Sequence, residues 1–411
     1  MTRAKRLDGA RPLDGIVVLD FTRVLSGPHA TRMLLDLGAE VIKVEPPTGD
    51  LTRFSSPRVN SLSTYFVQQN TGKKNFSVDL DSVEGRDLVA RLIERVDVVV
   101  ENFRPGVMAK WGLDFDSMAR RNPRLIYVSI SGFGADGPWT DRRAYAPVVN
   151  AETGITKSQG DARGGEYAND PHSHADVYTG MHAATAALAA LYQREHTGRG
   201  QFIDVSMAET MLYANEHAHD SLWDGPPPQG VIRSFQPGDY PVLTTKDGAV
   251  LIASGHPAEN GTFEYYLAAM EAPHFADDPR FRTASDRLQH LDELQELIRT
   301  WARECTDFDD ISQRLARHQI AVGRLRTVND VASTEWARDR RAIAEVSDRG
   351  EGRIRLPNSP WHFSDSDTSV RGEPRYRGED NRDVLTRLLA LSDEEIAEFE
   401  RAGVISSRSP R

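Results

Sequence analysis

Cysteine is almost missing: Cys305 is the single one in 411 residues. A lone cysteine excludes an internal disulfide and a cysteine-rich metal site, and it fits a reducing cytoplasm. Long apolar runs are missing too, none approaching the ~20 residues of a membrane span. The N-terminal MTRAKRLDGARPLDG is basic but lacks the apolar segment of a secretory signal. The expected location is therefore cytoplasmic, with no membrane partner. Positive charge is the scarcer sign, with 50 Lys and Arg against 61 Asp and Glu and a formal net charge of −11. A nucleic-acid partner is disfavoured, because it needs clustered cations to displace counterions from phosphates. A phosphorylated small molecule needs only a local basic site. Neither G-x-G-x-x-G after the first strand nor G-x-x-x-x-G-K-[ST] occurs, which argues against a nicotinamide, flavin or nucleoside-triphosphate enzyme of standard type.

What is present fits a folded enzyme: 39% hydrophobic and 27% charged residues and a length that favours two domains over one. The first 135 residues alternate strand and helix signals. GIVVLDF, AEVIKVEPP, NFSVDL, DVVVENF and RLIYVSISGFG read as strands, HATRMLLDLG as a helix ending at Gly38, and SVEGRDLVARLIERV as a helix capped by Ser82. Such βαβ alternation implies a parallel sheet covered by helices, with ligands beyond the carboxyl ends of the strands. The loops TRVLSGP, PPTGDLTR, NFRPGV and SGFGADGPW would gather there. VYTGMHAATAALAALYQRE predicts a buried, alanine-rich helix, QFIDVSM a strand and MAETMLYANEHAHDSLW a further helix. A Pro/Gly-rich stretch at 224–241 reads as a linker, VLTTKDGAVLIAS as a hairpin turning at Asp247-Gly248, and the text to about 337 as a smaller α+β unit. A second polar linker covers 338–360, and the tail to 411 returns to helix, with Ser392 and Glu395 as a capping box.

The segment HSHADVYTGMH (172–182) carries the main chemical question. Asp176 is open to three readings. With His172 and His174 it forms part of a metal-ligand pattern, although Val177 stands where a fourth ligand belongs and the upstream GGEYANDP is no rigid strand. As a helix N-cap it would satisfy free N–H groups. As an ionised carboxylate at a helix start it could act as a nucleophile toward an activated acyl group.

Five stretches, taken together, resemble a known family: PLDGIVVLDFTRVLSGPHATRMLLDLGAEVIKVEPPTGDLTR, NTGKKNFSVDL, VVENFRPGVMAKWGLDF, PRLIYVSISGFGADGP and HADVYTGMHAATAALAALYQREHTGRGQFIDVSMAETML. In this order they look like signatures of the family III CoA-transferases (CaiB/BaiF), the group of formyl-CoA transferase, carnitine CoA-transferase and α-methylacyl-CoA racemase. The likeness runs from about residue 12 to 215, weakly through HQIAVGRLRTVNDV, and includes LSDEEIAEFERAGVI.

The resemblance implies an α/β fold. A Rossmann-like, parallel-sheet large domain is built from both chain ends (1–223 and 361–411), a small α+β domain spans 242–337, and two ring-shaped subunits interlock as a homodimer. It implies CoA transfer from an acyl-CoA to a small carboxylic acid through aspartyl-acyl anhydride and aspartyl-CoA thioester intermediates. Asp176 would be the nucleophile, with no metal and no tightly bound cofactor, and coenzyme A would enter as substrate. Carried over by position, Val24, Leu25 and Ser26 lie near the thioester and pantetheine. Asn102, Phe103 and Lys110, and the loop Asn70, Thr71, Gly72 and Lys73, contact CoA. Arg143 and Tyr145 line the active site. Against these stands the plain alternative that Lys73, Lys110 and Arg143 are solvated surface charges. Pro46 departs from the basic residue of formyl-CoA transferase, so the adenine end would be held differently, and FQPGDYP stands where that enzyme has a polyglycine lid. Arg143, Arg233 and the histidines near Asp176 point to a dicarboxylic acid. Racemisation is the rival, but the racemases' histidine is absent from Ala144-Tyr145-Ala146; a CoA-ester-binding protein without catalysis is the alternative of another class.

Overall fold

The computed structural model describes residues 11–222 and 237–408. These fall into two compact units, 11–218 with 335–408, and 219–222 with 237–334. Most of the expected 224–241 linker, including Arg233, lies outside the described residues.

The larger unit is built on six strands: β1 (Val17–Asp20), β2 (Glu40–Glu45), β3 (Lys74–Ser77), β4 (Val98–Glu101), β5 (Ile126–Ser131) and β6 (Phe202–Ser206). Their order is β3-β2-β1-β4-β5-β6 and every pairing is parallel. This is the doubly wound Rossmann order, formed without the glycine fingerprint, and it reverses direction between β1 and β4. The central strands are mostly apolar because both faces are covered, with Asp20 and Glu101 closing the carboxyl ends of β1 and β4. Leu19, Ile42 and Phe76 turn to one face, against helix Val83–Ile93 and the C-terminal helices Asn381–Leu389 and Asp393–Arg401. Val18, Val41, Val100 and Val128 turn to the other, where Ala30 and Leu34 meet a ladder of Ala183, Ala184, Ala187 and Ala190.

Three helices matter for the site: α1 (Ser26–Asp36), α2 (Ala146–Glu152) and α3 (His174–Thr197). The alanine-rich face lets α3 approach α1 closely. A Cβ at Gly180 would stand 2.6 Å from the Ser26 carbonyl oxygen, so the approach requires glycine there.

The C-terminal segment closes the sheet edge. Asp380 and Asn381 side chains accept the backbone N–H groups of Asn75 and Ser77, each at 2.8 Å, and Val78 bridges Ile405. The Ser392–Glu395 capping box forms as expected. Residues 338–360 are not a plain linker. They carry a hairpin, Ile343–Ser347 paired with Arg353–Pro357, whose Val346, Ile354 and Leu356 are buried. Their alternation with arginines and acids made the stretch look uniformly polar. The helix expected from 207 is interrupted after Tyr213 and resumes at Ala218–Ser221.

The smaller unit pairs Val242–Thr244, Val250–Ala253 and Val322–Arg324 as an antiparallel sheet. The turn falls at Lys246–Gly248, where Gly248 has φ +87°. Helices Thr262–Ala269, Leu291–Glu304 and Phe308–Arg317 supply its core. Cys305 is buried in that core, and burial pushes its thiol up to about 11. Among the described residues no helix is long and apolar enough to cross a membrane.

Candidate active site

The site begins at the switch point. The loop after β1 and the loop after β4 diverge there, and Asn102 ties them together. Its Oδ1 accepts the Arg23 backbone N–H at 2.8 Å, while Nδ2 donates to the Arg23 carbonyl at 2.9 Å and to Ser26 Oγ at 3.3 Å. Arg23 lies over the Phe103 ring at 4.9 Å. Between them Val24 adopts φ +65°. A β-branched residue in the left-handed region costs on the order of 1–3 kcal/mol, and such strain clusters at functional sites.

This loop delivers Ser26 as the first residue of α1. Ala146 is the first residue of α2, and Asp176 lies in the first turn of α3. The Ser26 backbone N–H and hydroxyl and the Ala146 backbone N–H stand near the Asp176 carboxylate and favour its charged form. Burial is the larger influence, and it lifts the carboxyl to about 6 despite these donors. Asp176 is therefore not the N-cap of its own helix. Ser173 occupies that position without a side-chain capping bond, because the aspartate reaches across to α1 and α2 instead.

Asp176 opens into a cavity of about 360 Å³, within the range of small-molecule sites. Val24, Ser26, Asn102, Phe103, Arg143 and Tyr145 share its lining, and Arg23 and Arg142 add cations. Arg142 is held over Phe133 and Trp139 at 5.0 and 4.6 Å and pairs with Glu152. Leu25 is buried beneath the loop. Beside it, Tyr65 is pushed up by burial and by the charges of Asp176 and Asp50.

The structure does not bring residues 70–73 or Lys110 to this cavity. Lys73 is buried and donates to Asp20 at 3.0 Å, Thr31 at 2.8 Å and Asn70 at 2.9 Å, so it is neither a surface charge nor free for a phosphate. Burial works to raise Asp20, yet Lys73 and Lys43 hold it below the usual carboxylate range. Asn70 also donates to the Phe66 carbonyl, Thr71 donates to that of Val67, and Gly72 packs against the Arg371 carbonyl. Lys110 is exposed. His174 Nδ1 meets Asp170 at 2.6 Å and its ring stacks on Tyr178. Among the described residues no group of three His, Cys, Asp or Glu side chains is placed to hold a metal ion, so the His172–His174–Asp176 ligand reading has no cluster behind it. Of FQPGDYP, Pro237–Asp239 forms a short helical turn in the smaller unit. The sequence reading missed Arg23, Arg142 and Ala146. Arg23 and Arg142 adjoin residues it named; Ala146 acts through its backbone, which no side-chain pattern signals.

A strained loop, converging helix starts and a partly buried carboxylate in a cation-lined crevice define a doubly wound α/β enzyme acting on a small anionic substrate. The chain belongs to CoA-transferase family III, whose model matches residues 13–381, and it is a CoA-transferase. It is similar to a formyl-CoA:oxalate CoA-transferase of Streptomyces avermitilis, at 33% identity over 96% of this chain and 100% of that protein. A succinyl-CoA–D-citramalate CoA-transferase of Chloroflexus aurantiacus is 32% identical over 96% and 98%. Mouse succinyl-CoA:glutarate CoA-transferase is 31% identical over 98% and 92%. Among solved structures, a CAIB/BAIF family protein from Brucella suis superposes with a TM-score of 0.78 at 32% identity, covering 92% of this chain and 99% of its own.

Proposed function

We propose that the enzyme moves CoA from an acyl-CoA to a dicarboxylic acid by covalent catalysis at Asp176. The supporting observation is the placement of Asp176: one carboxylate faces the first turns of α1 and α2 from within the first turn of α3. Those N–H groups and dipoles favour an anion. In the reaction Asp176 attacks the thioester carbonyl, the C–S bond breaks, and an aspartyl-acyl anhydride forms with CoA thiolate as leaving group. The thiolate then attacks the aspartyl carbonyl, giving an aspartyl-CoA thioester and releasing the first acid as carboxylate. An incoming carboxylate repeats the two steps in reverse and leaves as the new acyl-CoA. Each addition at the aspartyl carbonyl develops an oxyanion that the nearby Ser26 and Ala146 N–H groups would stabilise, the kind of preorganised arrangement that lowers such barriers. Arg23, Arg142 and Arg143 supply cations for a second carboxylate, and the relatives named for oxalate, citramalate and glutarate accord with that class.

Incubation with acyl-CoA and hydroxylamine, followed by peptide mapping, should yield a hydroxamate at Asp176. Failure to modify Asp176 while CoA binding is demonstrated sinks the covalent mechanism. Racemisation is separated by α-proton exchange in deuterated water without an acceptor acid, which a transferase does not catalyse. We further propose a homodimer of interlocked subunits.

A further inference from the structure

The larger unit has a second cavity besides the one at Asp176. It measures about 560 Å³ and is lined by Arg53, Arg58, Arg377 and Arg408, with Phe54 and Tyr376 beside them. Arg53 is matched by Glu45 at 2.7 Å. Among the described residues Arg58, Arg377 and Arg408 make no ion pair with a carboxylate. Burial holds Arg377 below its usual range; the charge of Glu45 opposes this, and the neighbouring charges of Arg53 and Arg408 add to it. An otherwise acidic chain of net charge −11 thus gathers four arginines around one hollow with Glu45 as their nearby counter-charge, an excess of positive charge that a bound anion would relieve.

This hollow neighbours the active site through an intervening cavity. A middle cavity of about 310 Å³ shares Pro47 and Thr48 with the arginine cavity, and Arg23 and Phe103 with the Asp176 cavity. Its walls are Pro46, Leu80, Phe103 and Trp111 with Glu45, Asp79 and Asp81. Flat apolar surfaces with carboxylate acceptors suit an aromatic base carrying an amino group and repel a phosphate. A ligand with its acyl end at Asp176 and its base in the middle would therefore carry any terminal phosphate into the arginines.

We infer that the arginine cavity binds the 3′-phosphate of the CoA thioester whose acyl end reaches Asp176, an assignment that rests on the CoA-transfer reading above. Arg58 and Arg408 are exposed and accessible to that dianion, while Arg377 is braced by Ser77 and Ser406.

The test compares KM for an acyl-CoA and for the matching acyl-dephospho-CoA in the wild type, in Arg58→Gln, in Arg408→Gln and in the double variant. Charge-assisted bonds to a phosphate predict that the wild type favours the 3′-phosphorylated thioester by about tenfold or more, and that the double variant loses this preference. Both side chains are exposed, so each single variant folds even if the double does not, and each should lose part of the ratio. An unchanged ratio, or an equal rise of both KM values, overturns the inference. Inorganic phosphate raising the wild-type Tm but not that of the variants, with no discrimination between the two thioesters, would assign the cavity to a free anion and also overturn it. Hydroxylamine trapping at Asp176 in the same variants separates the two readings: trapping with an unchanged ratio removes only the phosphate subsite, and a shifted ratio without trapping removes only the covalent mechanism.

Discussion

Asp176 is held at some expense to the fold. Its carboxyl is lifted from the ordinary 3.8 to about 6, so the folded protein holds the proton more tightly than the unfolded chain. Stability accordingly falls as pH rises between those values. A difference of that size sets a ceiling of ~3 kcal/mol. Asp176→Asn should therefore gain about 1–3 kcal/mol at pH 7 and little at pH 4, measured by urea unfolding at both, while transfer activity is lost. In the wild type kcat/KM should decline below about pH 6 as the nucleophile is protonated. Lys73 makes the opposite case. Lys73→Met removes the ion-pair partner of buried Asp20 and leaves Lys43 and the Thr22 and Thr31 hydroxyls to hold its charge, and should cost about 3 kcal/mol; adding Asp20→Leu should recover much of it. Asp176 was legible because its neighbours carry a recognisable pattern. The role of Lys73 was not, because its partner lies 53 residues away in sequence and only the tertiary fold says which of two adjacent lysines is buried.

At the scale of elements, the contact between α1 and α3 sets the distance between Ser26 and Asp176. Gly180→Ala would put a methyl group 2.6 Å from the Ser26 carbonyl, forcing the helices apart. The expected loss is ~1–3 kcal/mol of stability and at least tenfold in kcat, whereas Thr185→Ala, on an exposed position of the same helix, should change neither. Thermal melts and steady-state rates on both variants decide this. The strands and the Ser82 and Ser392 caps could be read from sequence because buried parallel strands are continuous apolar runs and caps are local. The start of α1 could not: Gly27 and Pro28 look like breakers, yet proline is tolerated in a first turn, where its missing N–H has no partner to lose. The 343–357 hairpin was hidden for a related reason, since one face of its pleat is arginine and acid.

For the whole molecule, the proposed homodimer makes a direct claim about mass. Sedimentation equilibrium should give twice the chain mass at micromolar protein, and urea dissociation should coincide with unfolding if the subunits interlock. A monomer at those concentrations removes the proposal. The parallel sheet could be expected from the alternation of strands and helices, but the joining of the two chain ends came from family likeness alone, because no local pattern announces that a tail will return. That return has a consequence in time. The edge strand β3 finds its outer partners only at residues 380–405, yet the last strand of the sheet ends at Ser206. At roughly 5–20 residues per second of synthesis, the nascent chain spends on the order of ten seconds or more with a finished sheet and an open edge. Those are the seconds in which a ribosome-bound chaperone, or a neighbouring nascent copy, would meet it.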